Sequence, residues 1–137
     1  MFEVTFIPIL VAAIASIVLA FIWYNPHVFG TSWMRIINVS PEQAERGKKR
    51  IPLTAFLAFL ASMVLAYVLN YFGIAWGVYD WVGAVELGIW VWVGFVAPTM
   101  LGMVLWEMKP LRYYAIVAGY WLCTLVLMSV ILVLFSA

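Results

Sequence analysis

The chain has 137 residues, of which 68% are hydrophobic and 9% are charged, and its formal net charge is +1. An ordinary soluble domain is roughly 45–50% apolar and about 25% charged, so this chain has too little polar surface to cover a core in water. The composition excludes a soluble globular protein and predicts an integral membrane protein whose outer surface is lipid.

Four long apolar runs follow one another along the chain. They cover Phe6 to Tyr24, about Leu53 to Phe72, about Val82 to Leu105 and about Leu111 to Phe135. A helix needs about 20 such residues to cross a hydrocarbon core of roughly 30 Å. The runs are unbroken rather than alternating, so they indicate helices and not barrel strands. We therefore expect one membrane domain over residues 1–137: an all-α, polytopic bundle of four transmembrane helices.

The first run could be taken for a secretory signal peptide because of its position. The residues before it, Met1 to Thr5, carry Glu3 as their one charge. A signal peptide instead begins with a basic region and has an apolar stretch of about 7–15 residues. The run is therefore predicted to be a retained transmembrane helix.

The loop over residues 25–52 is predicted to contain a short helix. Ser40 precedes Pro41, Glu42 and Gln43, which match an N-cap, a first helical Pro, an acid in the first turn and a capping-box Gln. This helix leads to the basic cluster at residues 48–50. The cluster is interpreted as a topology anchor, with anionic-lipid or partner binding as the alternative.

The basic residues are all predicted to lie on one side of the membrane. They fall in the first loop and around the third one: Arg35, Arg46, Lys48, Lys49, Arg50, Lys109 and Arg112. The loop over residues 73–81 has no Lys or Arg and one acid, Asp80. By the positive-inside rule the basic side is cytoplasmic, with both termini outside.

Two stretches carry a family resemblance. The first, residues 23–34, has the sequence WYNPHVFGTSWM, and the second joins GFVAPT at 94–99 to AGYW at 118–121. They resemble the motifs of a bacterial four-helix inner-membrane family, the domain of unknown function seventeen sixty-one (DUF1761), over essentially the whole chain. The matching positions are Trp23, Tyr24, Asn25, Pro26, Phe29, Gly30, Trp33 and Pro98, with Asn25 standing where Ser is expected. The resemblance implies a bacterial inner-membrane location and supplies no activity.

Small residues recur four apart in every run. These stripes are Ala12, Ser16 and Ala20 in the first; Ala55, Ala58, Ser62 and Ala66 in the second; Gly94, Pro98 and Gly102 in the third; and Ala115, Gly119 and Cys123 in the fourth. Small residues let helix backbones approach closely in lipid. The stripes are predicted to pack the bundle and to support self-association, although some would arise by chance.

Glu86 is the one acid inside a predicted span. An ionisable residue within a membrane helix indicates function by default. We expect Glu86 to face the bundle interior, with Trp90 one turn away and Asn70 nearby, where it could carry a proton or bind a cation. Alternatively, it reaches water at the outer interface, or is satisfied by Asn70 or Tyr79.

The remaining chemistry is sparse. With one His and one Cys, neither a metal site of ordinary ligand count nor a Cys-His pair in the loops can be assembled. The basic cluster has no aromatic interleaving of the nucleic-acid kind, and there is no Gly-rich phosphate loop. We therefore expect no enzyme, no cofactor, no metal and no nucleic-acid partner.

Two functions remain, and both place the chain in the lipid bilayer. One is small-solute or proton-coupled transport by a homo-oligomer, because four helices of this size enclose little space. The other is a structural or accessory subunit that assembles with another membrane protein.

Overall fold

The computed structural model describes residues 6–135, and most of each predicted span is helical. Predictions about residues 1–5 and 136–137, including the missing basic region before the first run and the placement of the termini, lie outside the described residues. The helices are α1 Phe6–Trp23, α2 Thr31–Ile37, α3 Pro41–Lys49, α4 Ile51–Ala75, α5 Trp81–Val91, α6 Ala97–Met100, α7 Gly102–Leu105 and α8 Leu111–Phe135.

The four predicted spans are confirmed. Within residues 6–135, four helical stretches are long and apolar enough to cross a membrane: Phe6–Trp23, Ile51–Ala75, Trp81–Leu105 and Leu111–Phe135. Every bound lies within three residues of the predicted one. The all-α polytopic bundle is therefore the fold of this chain, and the stretch Trp81–Leu105 is called the third span below.

The short helix in the first loop is also confirmed. The backbone N–H of Gln43 donates to Ser40 Oγ at 3.2 Å, and the backbone N–H of Ser40 donates to Gln43 Oε1 at 3.0 Å. This reciprocal pair satisfies two backbone donors that the start of a helix leaves without a partner. It explains why α3 begins at Pro41.

The fourth span lies at the centre of the bundle. Helix α8 packs against α1, α4 and α5, and α1 packs against α4 as well. The buried core is apolar and includes Ile9, Ala12, Ala66, Leu69, Leu87, Val91, Leu125, Met128 and Leu132. A helix placed between several others buries more than one face, which is why α8 has buried residues from Ile116 to Leu132.

The third span was predicted as one continuous helix, and the structure shows that it is interrupted. Helix α5 passes into a π-helical turn at Trp92–Val96 before the short helices α6 and α7. Pro98 has no N–H to donate, and its ring conflicts with the carbonyl one turn earlier. A wider turn and a break are the usual result. The Thr99 hydroxyl lies 2.6 Å from the carbonyl oxygen of Phe95, one of the groups in the widened turn.

The small-residue stripes of the first two spans pack the bundle in part, since Ala58 on α4 is exposed. Ala12 and Ser16 on α1 and Ser62 and Ala66 on α4 are all buried. The hydroxyls of Ser16 and Ser62 lie 3.0 Å apart across this interface. Small side chains allow this approach, as predicted.

The stripes of the other two spans were placed wrongly inside the bundle. Gly94 and Pro98 are exposed, and the small residues that the third span buries are Ala84 and Gly88. On α8, Ala115 and Cys123 are likewise exposed. The four-residue spacing of small residues identifies one face of a helix, but it does not identify which helix packs against that face.

Candidate functional site

Glu86 is exposed on α5, so the expected inward orientation is wrong for the described chain. Its side chain lines an open cleft of about 320 Å³ at the end of the bundle opposite the basic loops. Trp90 lines the same cleft, and so do Trp76, Tyr79 and Asp80. Glu86 and Trp90 are therefore brought together as predicted, but on the outside of the bundle.

The packing of α5 against α8 explains this orientation. A Cβ atom placed on Gly88 would lie 2.8 Å from Cα and 2.9 Å from the backbone nitrogen of Val126. The two backbones thus lie close together at a position where α5 has no side chain. Glu86 is two positions from Gly88, about 200° around a helix of 3.6 residues per turn, and so it points away from α8.

The loop between α4 and α5 forms the rest of the cleft. Gly77 ends α4 with a φ of +69°, a conformation that glycine adopts without strain. The backbone N–H of Val78 then donates to the carbonyl of Gly73 at 2.9 Å. Asp80 Oδ1 accepts from the backbone N–H of Gly83 at 2.8 Å and caps α5. These bonds hold the loop side chains in place around the cleft.

The cleft combines negative charge with aromatic rings. Asp80 and Glu86 supply two carboxylates, and in the described part of the chain Glu86 has no hydrogen bond or ion pair. Aromatic faces attract ammonium-type cations electrostatically. The arrangement therefore suits an organic cation.

Asn70 lies in a separate, smaller cavity beside this cleft. It is 9% exposed and lines a space of about 70 Å³ between α4, α5 and α8, together with Ser129. The side chains of Val78 and Leu87 border both spaces. The predicted hydrogen bonds from Glu86 to Asn70 or Tyr79 are not formed, since the described residues give Glu86 no partner. Asn70 and Glu86 therefore line two neighbouring spaces rather than one.

The motif residues lie at the other end of the bundle and build a turn. Asn25 Oδ1 accepts from the backbone N–H of His27 at 2.9 Å, and the Asn25 carbonyl accepts from the backbone N–H of Gly30 at 2.9 Å. The second bond closes a π-helical turn between α1 and α2. A Cβ atom on Gly30 would collide with the backbone carbonyl of Tyr24. The turn therefore requires glycine at this position.

The aromatic residues of the motif pack around this turn. Ring centroids lie 4.6 Å apart for Trp23 and Phe29, and 5.0 Å apart for Tyr24 and Trp33. The Trp23 indole N–H also donates to the carbonyl of Ile116 on α8 at 3.0 Å. These contacts indicate that the motif stabilises the join between α1, α2 and α8.

The sequence favours packing between helices for Tyr120, but it does not identify the partners of this residue. This residue is buried on α8, its ring centroid lies 5.6 Å from that of Tyr24, and its hydroxyl donates to the carbonyl of Ser16 at 3.0 Å. A buried Tyr usually has a hydrogen-bond partner, which was the available signal. The partner itself is 104 positions away in the chain, too far for any local pattern to identify.

Comparison with known proteins supports the resemblance carried by the motifs. A family described as "Protein of unknown function (DUF1761)" matches residues 7–133. The match includes the turn at residues 23–34, the cleft and all but the outermost residues of the four spans. No curated protein and no solved structure matches the chain.

Proposed function

Because this chain belongs to the DUF1761 family, whose description assigns no activity, we propose a function from its geometry: transport of a small cationic solute by a homo-oligomer. The observation that carries the proposal is the pair of adjacent spaces beside α5. The outer one presents the carboxylates of Asp80 and Glu86, and the inner one presents the amide of Asn70.

The two spaces provide successive positions for a cation. A cation would first meet Asp80 and Glu86 with the rings of Trp76, Tyr79 and Trp90 around it. Displacement of Val78 and Leu87, which border both spaces, would admit it to the oxygen of the Asn70 amide. The amide oxygen of Asn70 is a hydrogen-bond acceptor and would face the cation there.

The position of Glu86 supports the oligomer. Glu86 lies about five residues past the start of α5, about 7–8 Å along the helix axis at 1.5 Å per residue. A carboxylate at that depth is costly against lipid. A second copy packed on the exposed face that carries Glu86, Trp90 and Gly94 would remove Glu86 from lipid.

The carboxylate also offers a means of proton coupling. Carboxylates within membrane spans mark proton relays in pumps and transporters. We place the protein in the bacterial inner membrane with the basic loops in the cytoplasm and both termini outside, on the basis of the positive-inside rule. The cleft then opens away from the cytoplasm.

The test is uptake of radiolabelled methylammonium by proteoliposomes, with proton movement followed by an entrapped pH dye. Glu86→Gln is expected to lower uptake by about tenfold or more, as the loss of one charge-assisted interaction of about 1.5–3 kcal/mol would do. The matched control is Glu107→Gln, which removes an exposed carboxylate at the opposite end of the bundle and should leave uptake unchanged. Equal uptake by the Glu86 variant and the wild type would contradict the proposal.

An accessory role in a larger membrane complex is the alternative. The observation in its favour is the exposed surface at Gly94, where a Cβ atom would meet nothing within 4 Å. A different protein could pack there as well as a second copy. Purification from native membranes separates the two: an equimolar second protein supports the accessory role, and copies of this chain alone support the transporter.

A further inference from the structure

A second open space lies at the basic end of the bundle, away from the Glu86 cleft. It is a groove of about 490 Å³ between α1, the π-helical turn, α2 and α8. Ligand sites in proteins typically measure about 300–1,000 Å³. Its lining includes Trp23, Phe29 and Ile116 along its length and Ser32 and Arg112 as its polar members.

The walls of the groove are held in place by specific contacts. The Trp23 indole N–H donates to the carbonyl of Ile116 at 3.0 Å, and the Trp23 and Phe29 rings lie 4.6 Å apart. Gly119 lets the indole approach α8, since a Cβ atom there would lie 3.4 Å from Trp23 Cζ2. These contacts place the Trp23 ring along the wall of the groove.

The groove is apolar along most of its length and cationic at one point. Arg112 is the second residue of α8, at the edge of the span, and it is exposed. Within residues 6–135 it forms no ion pair. A guanidinium group binds phosphate oxygens in a two-pronged geometry that Lys does not reproduce. The apolar wall of the groove suits an acyl chain, and the Arg112 guanidinium at the edge of the span suits an anionic headgroup. A phospholipid with an anionic headgroup carries both groups in one molecule.

The surroundings of Arg112 favour a negative ligand. The alternating direction of the four spans brings the loops over residues 25–50 and 106–110 to the same end, and these loops with Arg112 contain all seven Lys and Arg residues. Glu42, Glu45 and Glu107 are the acids there. Juxtamembrane basic residues attract anionic lipid by about 1 kcal/mol each.

We infer that this groove is a binding site for an anionic phospholipid, with the phosphate on Arg112 and an acyl chain along Trp23 and Phe29. The bound lipid is drawn from the leaflet on the basic side. It covers an apolar surface that the turn between α1 and α2 creates. This site is independent of the solute path proposed at Glu86.

The test uses native mass spectrometry of the purified full-length protein, titrated with phosphatidylglycerol or with phosphatidylcholine. The wild type is expected to retain phosphatidylglycerol preferentially. Arg112→Gln should weaken phosphatidylglycerol binding about tenfold, the effect of a lost charge-assisted hydrogen bond, and should leave phosphatidylcholine binding unchanged. The matched control is Arg46→Gln, an exposed Arg on α3 that does not line the groove, which should behave as the wild type.

Several outcomes would overturn the inference. Equal losses with Arg112→Gln and Arg46→Gln would mean general attraction to the basic surface. Competition by inorganic phosphate at concentrations matching the lipid would mean a phosphate site without an acyl-chain groove. A change in subunit number rather than lipid number would mean that a second copy occupies the groove.

Because Gly119 borders the groove, its substitution gives a second measurement. Gly119→Leu is expected to reduce retention of both lipids, since the side chain fills the space beside Trp23. If the variant does not purify as a folded protein, the Arg112 and Arg46 comparison still decides the question.

Discussion

The two long faces of the third span differ in what lies against them. One carries Ala84, Gly88 and Val91 and is buried against α8. The other carries Glu86, Trp90 and Gly94 and is exposed. Both contain small residues, yet a Cβ atom would lie 2.8 Å from the Val126 backbone at Gly88 and would meet nothing within 4 Å at Gly94. Small residues on a membrane helix therefore mark where a backbone can approach, and only the neighbouring helix decides whether it does.

This difference determines where chemistry is available on the span. On the buried face the Trp92 indole N–H donates to the carbonyl of Ala118 at 2.8 Å, and Leu87 and Val91 belong to the apolar core. On the exposed face Glu86 has no partner among the described residues and borders an open cleft. The buried face stabilises the fold, and the exposed face carries the proposed site.

The largest expected effect comes from breaking the close approach at Gly88. Gly88→Ala should lower the free energy of unfolding by about 1–3 kcal/mol, the usual cost of overpacking, because the contacting atoms of Val126 are backbone atoms that cannot rotate away. SDS titration in mixed micelles measures this quantity. Gly94→Ala is the matched control and should be neutral or stabilising by up to about 1 kcal/mol, since alanine favours helix. Equal destabilisation by both changes would refute the assignment of the two faces.

An intermediate effect is expected at Gly94 on self-association. Gly94→Leu should weaken the oligomer about tenfold, because a bulky side chain keeps helix backbones apart. Analytical ultracentrifugation in detergent gives the dissociation constant, and the unfolding free energy of the variant should stay near that of the wild type. A strictly monomeric wild-type protein at every concentration would remove the oligomer from the proposal.

The smallest expected effect concerns the hydrogen bond of Trp92. Trp92→Phe removes the donor to Ala118 and should cost about 0.6 kcal/mol, the mean value for interhelical hydrogen bonds in a membrane protein. Trp90→Phe on the exposed face should change the unfolding free energy by less, since Trp90 is 65% exposed. The same SDS titration ranks the two variants, and the reverse order would contradict the orientation of the span.

The architecture was predictable because each of its signals is local. Span bounds follow from the length of apolar runs, and α3 follows from the Ser40 to Gln43 capping box. The grouping of Glu86 with Trp90 was also predictable, because residues four apart on a helix share a face. Whether Glu86 and Trp90 face the bundle interior was not predictable, because Gly88 and Gly94 both offer a face on which another helix could pack.

The amino-acid sequence by itself determined that four helices cross the membrane, where they begin and end, and that their basic loops share one side. These features depend on the free energy of single segments in lipid or water, which composition alone decides. Tertiary structure decided that α8 is central, that Gly88 rather than Gly94 meets another backbone, and that Glu86 and Asn70 line adjacent spaces. Lipid solvates every apolar face of a helix almost equally well, so the choice among faces depends on shape complementarity between distant segments.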